Sequence, residues 1–168
     1  MKLYYAVLET KLGRMLATRT EKGLNNLLFH QPTWGKFFEE LEERKDLELI
    51  KAEGKFATLR KQLKEYFTGK KVKFTDKLDL SSGSPFEQKV WRKMMQIPYG
   101  KTVSYKKLAQ MAGEPEKARA VGNACAKNPL TIIVPCHRVI KSDGGLGGYA
   151  GGLERKKRLL NLESGKEK

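Results

Sequence analysis

The chain has 168 residues, with 34 Lys and Arg against 19 Asp and Glu, a formal net charge of +15 and a pI near 9.8. That length suits one compact domain or two small ones sharing a core, and excludes a multi-domain assembly. A mean hydropathy of −0.58 and the lack of a long apolar run exclude a transmembrane helix, and two cysteines are too few for a disulfide scaffold. The opening Met1–Glu9 breaks its apolar run too early for a signal peptide, so the expectation is a reduced, cytoplasmic protein.

In chain order, Leu3–Leu8, Leu12–Thr18 and Leu24–Phe29 are β-prone runs separated by turn residues and predict a three-stranded antiparallel meander. Trp34–Arg44 alternates apolar and acidic residues near the helical period. Phe56, Leu59, Leu63, Tyr66 and Phe67 recur at helical spacing, so Lys55–Phe67 predicts an amphipathic helix ended by Gly69. His30 has no cysteine near it and reads as a surface residue rather than a metal ligand. The polar, turn-rich Ser81–Pro85 reads as a linker between a first domain, residues 1–80, and a second, residues 86–168.

Beyond the linker, Ser84 caps a helix with Pro85 at its first position, and Phe86, Val90, Trp91 and Met94 mark its apolar face. Ser104 caps Tyr105–Met111, a turn follows at Gly113–Glu116, and Ala118–Lys127 forms the next helix. Helix, tight turn and helix in a basic segment is the layout of a helix-turn-helix. Residues 81–168 hold 17 basic and 7 acidic residues against 17 and 12 in residues 1–80, an excess that favours a polyanion. The plain alternative is a solubilising Lys/Glu-rich surface. The second helix, with Ala118, Ala120, Gly122, Ala124 and Ala126, is nearly bare apart from Arg119. Small residues allow close approach to a phosphate backbone with little base reading, or else tight packing in a helical bundle.

Leu130–Val134 reads as an apolar strand stopped by Pro135, and Cys136-His137-Arg138 follows. Cys136 is the nucleophile candidate: the thiolate is the reactive form, and His137 and Arg138 are cations placed to lower its pKa. On an extended segment adjacent side chains point to opposite faces, so His137 would reach the sulfur through a water or a turn after Pro135. A carboxylate from the last helix would orient the histidine. The glycine-rich Gly144–Gly152 lacks a phosphate-binding fingerprint but can bring backbone N–H groups and Tyr149 against a planar ligand. Leu153–Leu162 predicts a helix with Arg155, Lys156, Lys157 and Arg158 on or near its exposed face and Glu163 at its end. Cys125 reads as a packing residue.

Several linked motifs then stand in one order: Ser84-Pro85-Phe86-Glu87, Pro98-Tyr99-Gly100-Lys101, Ser104-Tyr105, Ala118-Arg119-Ala120-Val121-Gly122, Asn128-Pro129, Pro135-Cys136-His137-Arg138-Val139-Ile140 and Tyr149-Ala150-Gly151-Gly152-Leu153. In these the chain closely resembles the O6-alkylguanine-DNA alkyltransferases, the methylated-DNA–protein-cysteine methyltransferases. The resemblance is carried by residues 82–168; residues 1–80 match only in pattern.

The resemblance implies an α+β protein: a small N-terminal α/β domain with a three-stranded antiparallel, ribonuclease H-like sheet, then a winged helix-turn-helix domain carrying the site. It implies a single-turnover transferase that flips an O6-alkylguanine, and also an O4-alkylthymine, out of duplex DNA and takes the alkyl group onto Cys136. His137, Glu163 and a water would remove the thiol proton, Tyr105 would hydrogen-bond the leaving base, and Asn128 would brace the active-site turn. Arg119 would fill the gap in the base stack, with Ala118, Gly122, Asn123, Thr102 and Ser142 at the DNA and Tyr149, Ala150, Gly151 and Val139 around the base. No cofactor, metal, membrane or obligate protein partner is implied, and the expected state is a monomer. Ala150 stands where many relatives carry serine, and Asn123 where they carry a small residue. Competing readings are a non-catalytic lesion sensor, which would lack the reactive cysteine; a winged-helix regulator, which would need long polar side chains on its reading helix; and a cysteine hydrolase, which would need an oxyanion hole.

Overall fold

A computed structural model describes residues 1–29 and 34–167. His30 lies outside the described residues, and its reading as a surface histidine has no structural counterpart.

Strands β1 (Lys2–Thr10), β2 (Gly13–Thr20) and β3 (Gly23–Phe29) form the antiparallel meander, with the first turn closed at Thr10 opposite Gly13. The sheet has a fourth member that the three-strand expectation lacks. After helix α1 (Trp34–Glu42), β4 (Glu48–Lys51) adds to the free edge of β1 in parallel, giving the order β3-β2-β1-β4. Four residues with charged ends and no fully buried side chain carry no alternation strong enough to announce a strand; pairing with β1 creates it. Ala6, Leu8, Met15, Ala17, Leu27 and Phe29 of the sheet join Leu59, Leu63 and Tyr66 of α2 (Ala57–Tyr66) in one core, with Phe56 from the 3-10 turn before the helix.

The second half opens on α3 (Pro85–Met94). Ser84 accepts from the Glu87 N–H at 3.2 Å while the Glu87 carboxylate accepts from the Ser84 N–H at 2.9 Å, a complete capping box. Val90, Trp91 and Met94 are buried, and Trp91 Nε1 donates to the Ala124 carbonyl at 2.8 Å, fastening α3 to α5 (Ala118–Ala126). Ser104 caps α4 (Tyr105–Met111), whose N-terminal neighbour β5 (Val103–Ser104) pairs in parallel with β6 (Val139–Ile140). Helix α6 (Leu153–Glu163) closes the domain.

The edge of β3 ties the halves together. The Leu27 N–H donates to the Pro129 carbonyl at 2.7 Å, and the Leu27 carbonyl accepts from the Thr131 N–H at 3.0 Å. The strand expected over Leu130–Val134 is instead a tight turn. The Val134 N–H returns to the Leu130 carbonyl at 2.8 Å, and Ile132 sits at a φ of 76°. The apolar run reflects burial of a compact loop and not a ladder, an ambiguity that periodicity alone cannot resolve. A β-branched residue at positive φ is strained, and the surrounding bonds hold it there.

Candidate active site

One side chain braces the loop before Cys136 from within. Asn128 is buried; its amide donates to the Val134 carbonyl at 2.7 Å and its oxygen accepts from the Leu130 N–H at 2.9 Å. It thereby satisfies two backbone groups that the missing ladder leaves unpaired. Its amide also bears on the Cys136 thiol, opposing the rise in pKa that burial causes.

Pro135 ends the loop and Cys136–Arg138 form a single 3-10 turn, so the alternative of a turn after Pro135 describes the backbone and the extended geometry does not. His137 is fully buried. Its Nε2 lies 2.8 Å from Oε1 of Glu163 at the end of α6, and its Nδ1 has no protein partner. Arg138 grips the same carboxylate with two bonds, Nε to Oε2 at 2.9 Å and Nη2 to Oε1 at 2.8 Å, and donates from Nη1 to the Ile97 carbonyl at 2.7 Å. Gly100 adds its N–H to Oε2 at 3.3 Å. Here φ is 75° and a Cβ would come within 3.1 Å of the Glu163 carbonyl oxygen, which accounts for glycine in the Pro98-Tyr99-Gly100-Lys101 motif.

The electrostatics differ from the expectation that His137 and Arg138 lower the thiol pKa. Burial pushes the Cys136 thiol up, opposed by the Asn128 amide and the Lys156 charge. Arg138 is spent on Glu163, and burial holds His137 below its ordinary pKa, hence neutral. Burial also raises the Glu163 carboxyl, but the bonds from His137 and Arg138 prevail and keep it ionised far below the usual carboxylate range. The arrangement is therefore a neutral thiol beside a neutral imidazole with a fixed anion behind it.

Lys156 is a second correction. Expected on or near the exposed face of α6, it is fully buried, and Nζ donates to the carbonyls of Val139 at 2.6 Å and Gly148 at 3.2 Å. Burial lowers its pKa, with the neighbouring thiols opposing. A run of four cations on one helix conceals which of them points inward.

Cys136 opens onto a hollow of about 600 Å³ walled by Tyr105, Ala118, Arg119, Gly122, Cys125, Ala126, Gly148, Tyr149 and Ala150. The bare helix α5 makes one wall because Gly122 and Ala118 let it stand close to Tyr105; a Cβ on Gly122 would already touch that ring at 3.7 Å. Gly147 bends the glycine-rich loop at a φ of 71°, and a Cβ there would strike the Tyr105 hydroxyl at 2.8 Å. The Tyr149 hydroxyl is buried and has no hydrogen-bond partner among the described residues. Cys125, with its sulfur 3.6 Å from that of Met94, is buried and its thiol is pushed up to about 12 by burial.

The structure thus brings Cys136, Tyr105, Arg119, Ala118, Gly122, Tyr149 and Ala150 to one cavity, with His137, Glu163 and Asn128 behind the sulfur. Val139 and Gly151 are not among its walls: Val139 is buried in β6 and Gly151 packs by Tyr149 and Phe29. Asn123, Thr102 and Ser142 are exposed outside it. Sequence reasoning missed Tyr66, whose hydroxyl donates to Glu163 Oε1 at 2.7 Å; its place in the helical pattern read only as core. Among the described residues no three His, Cys, Asp or Glu side chains gather as a metal would require, and no helix is long and apolar enough to cross a membrane.

Residues 85–165 match the family described as 6-O-methylguanine DNA methyltransferase, DNA binding domain, and residues 3–80 match its ribonuclease-like domain. The methylated-DNA–protein-cysteine methyltransferase of Methanosarcina barkeri is 41% identical over 165 residues, covering 96% of this chain and 97% of its own. The constitutive enzyme of that name from Bacillus subtilis is 40% identical over 162 residues, with 95% and 94% covered. The crystal structure of Mycobacterium tuberculosis O6-methylguanine methyltransferase superposes with a TM-score of 0.81 at 36% identity, covering 99% of this chain and 95% of that one. The Mycobacterium tuberculosis protein in complex with DNA gives 0.80 with the same identity and coverage. With both halves matched and near-complete relatives above 30% identity, the chain belongs to the methylated-DNA–protein-cysteine methyltransferase family.

Proposed function

We propose that this chain repairs DNA by moving the alkyl group of an O6-alkylguanine onto Cys136, once per molecule, as a monomer in the reducing cytoplasm. Residues 86–168 bind and react, residues 1–80 brace them, and 81–85 join the two. The observation that carries the reading is a cysteine facing a base-sized hollow while a buried histidine–carboxylate pair stands behind it.

A stacked base cannot reach that hollow, so the nucleotide leaves the duplex and Arg119, exposed on α5, takes its place in the stack. Ala118 and Gly122 allow the helix to approach the minor groove, where little sequence is read; Asn123, Thr102 and Ser142 complete the DNA face. Tyr149 and Ala150 flank the base.

The thiol is neutral at rest, so its proton leaves as attack begins, through a bridging water to the free Nδ1 of His137. Sulfur forms its bond to the alkyl carbon as the carbon–O6 bond breaks. The bonding pair returns to the guanine, which takes a proton from the Tyr105 hydroxyl, and the proton held by His137 passes through water to the Tyr105 oxygen, so the thiol proton ends on the restored base. Glu163 stabilises the imidazolium. The product thioether has no leaving step; the neighbouring thiol of Cys125 can exchange with a disulfide but cannot take an alkyl group off a thioether, so the cycle does not close. Titrating an O6-methylguanine duplex with protein tests this: restored guanine tracks protein one to one and then stops. Sustained turnover contradicts it.

A further inference from the structure

We propose that Tyr66, delivered by α2 from the N-terminal half, is a positioning residue of the relay: its hydroxyl fixes the Glu163 carboxylate so that the hydrogen of His137 stays on Nε2 and Nδ1 remains the base. This rests on the reading of Cys136 as alkyl acceptor and adds to it a residue 97 positions from its partner.

Glu163 Oε1 accepts three bonds: Tyr66 Oη at 2.7 Å, His137 Nε2 at 2.8 Å and Arg138 Nη2 at 2.8 Å. Two of these donors, His137 and Arg138, belong to the same turn as Cys136. Tyr66 does not; it is 1% exposed and its ring packs edge-on against Phe67 and Tyr99. It is the short bond that references the carboxylate to the β-sheet half of the molecule; the outside donor Gly100 is longer at 3.3 Å.

The phenol is a one-way donor. Burial and the adjacent carboxylate push its pKa well above 10.0, so it stays protonated, and against an ionised carboxylate it is the donor in the 2.7 Å bond to Oε1. An ionised carboxylate also has no hydrogen to give, so Nε2 must donate and the lone pair is left on Nδ1. Sharing Oε1 with Tyr66 further disperses its negative charge and restrains how strongly it favours the imidazolium. The other groups facing the pair are Tyr99 from the turn after α3, Cys136 and Arg138 from the reactive turn, Tyr149 from the glycine-rich loop and Lys156 from α6. None of these supplies a neutral donor to Oε1.

The test uses the full chain and Tyr66→Phe, which keeps the ring. Single-turnover transfer from an O6-methylguanine duplex is followed against pH, with affinity for undamaged duplex measured alongside. Losing the hydroxyl concentrates charge on Oε1, which raises the His137 pKa. The acid limb of the rate profile then moves to higher pH by about half a unit, and the plateau rate falls by about 5- to 20-fold. Duplex affinity is unchanged. A slowed variant whose acid limb stays in place overturns the positioning role and leaves the hydroxyl a stabilising contact.

A second measurement needs no folded variant. With two histidines in the chain, the imidazole nitrogen shifts of the unaltered protein are assignable, and they show the hydrogen of neutral His137 on Nε2. An Nδ1–H tautomer overturns the proposal. Absence of any transfer by the unaltered protein would instead overturn the reading of Cys136.

Discussion

Lys156 Nζ lies 2.6 Å from the carbonyl of Val139, which ties the last helix to the strand that leaves the reactive turn. The same ammonium reaches the Gly148 carbonyl next to Tyr149, so one buried cation braces both the strand behind the cavity and one of the cavity's walls. Lys156→Met keeps the stem and removes the donor. It leaves two carbonyls short of a partner and costs about 1–3 kcal/mol of stability, read from urea unfolding. Transfer also slows several-fold, by about 3- to 10-fold, as the turn and loop loosen. Unchanged unfolding and unchanged rate would show that the bonds contribute nothing.

Glu163 joins His137, Arg138 and Tyr66, and its replacement separates chemistry from binding. Glu163→Gln slows alkyl transfer by about 10- to 100-fold while duplex binding persists. Removing one partner of a buried ion pair also costs about 3–5 kcal/mol. An unchanged rate would take Glu163 out of the relay.

The same network sets a pH dependence. The folded pKa of Glu163 lies below its ordinary 4.5, so its stabilisation is complete above that value and is lost as pH falls through the window beneath it. Burial lowers the His137 pKa below 6.5, so protonation of the unfolded chain withdraws further stability as pH drops under 6.5. Both act in one direction. Tm therefore declines on acidification, first below about 6.5 and more steeply below about 4.5, and Glu163→Gln flattens the lower limb. A Tm that rises on acidification would contradict both assignments.

Much of the second half was legible because local chemistry fixes it: Ser84 and Ser104 announce helix starts, Gly122 and Ala118 mark the bare helix, and Pro135-Cys136-His137 marks the reactive turn. What stayed hidden depends on partners distant in the chain. β4 is a strand because β1 is there to pair with it. The Leu130–Val134 run is a turn because Asn128 and the Leu27 edge hold it so. Lys156 and Tyr66 carry helical-pattern signals identical to those of a surface lysine and a core tyrosine; their polar tips acquire meaning only against Val139 and Glu163.

Arg119 stands exposed at the rim of the cavity on α5. Under the proposed function its contribution is to the duplex and not to the chemistry. Arg119→Ala weakens repair of a duplex lesion by about 10-fold or more, through the lost stack-filling contact, and has a much smaller effect on a free alkylated base. Equal loss on both substrates would count against its place in the stack.

Under the proposed function only one of the two thiols accepts the alkyl group. Cys125 shares the cavity wall, but its thiol, pushed up to about 12, stays protonated and has no imidazole–carboxylate pair behind it. The most direct measurement is peptide mass mapping after reaction with an excess of O6-methylguanine duplex, on the unaltered chain, Cys125→Ala and Cys136→Ala. The expected result is a gain of a single CH2 per molecule, carried by the Cys136 peptide in the first two proteins and absent from the third. A methyl group on Cys125, or one acquired by Cys136→Ala, would contradict it.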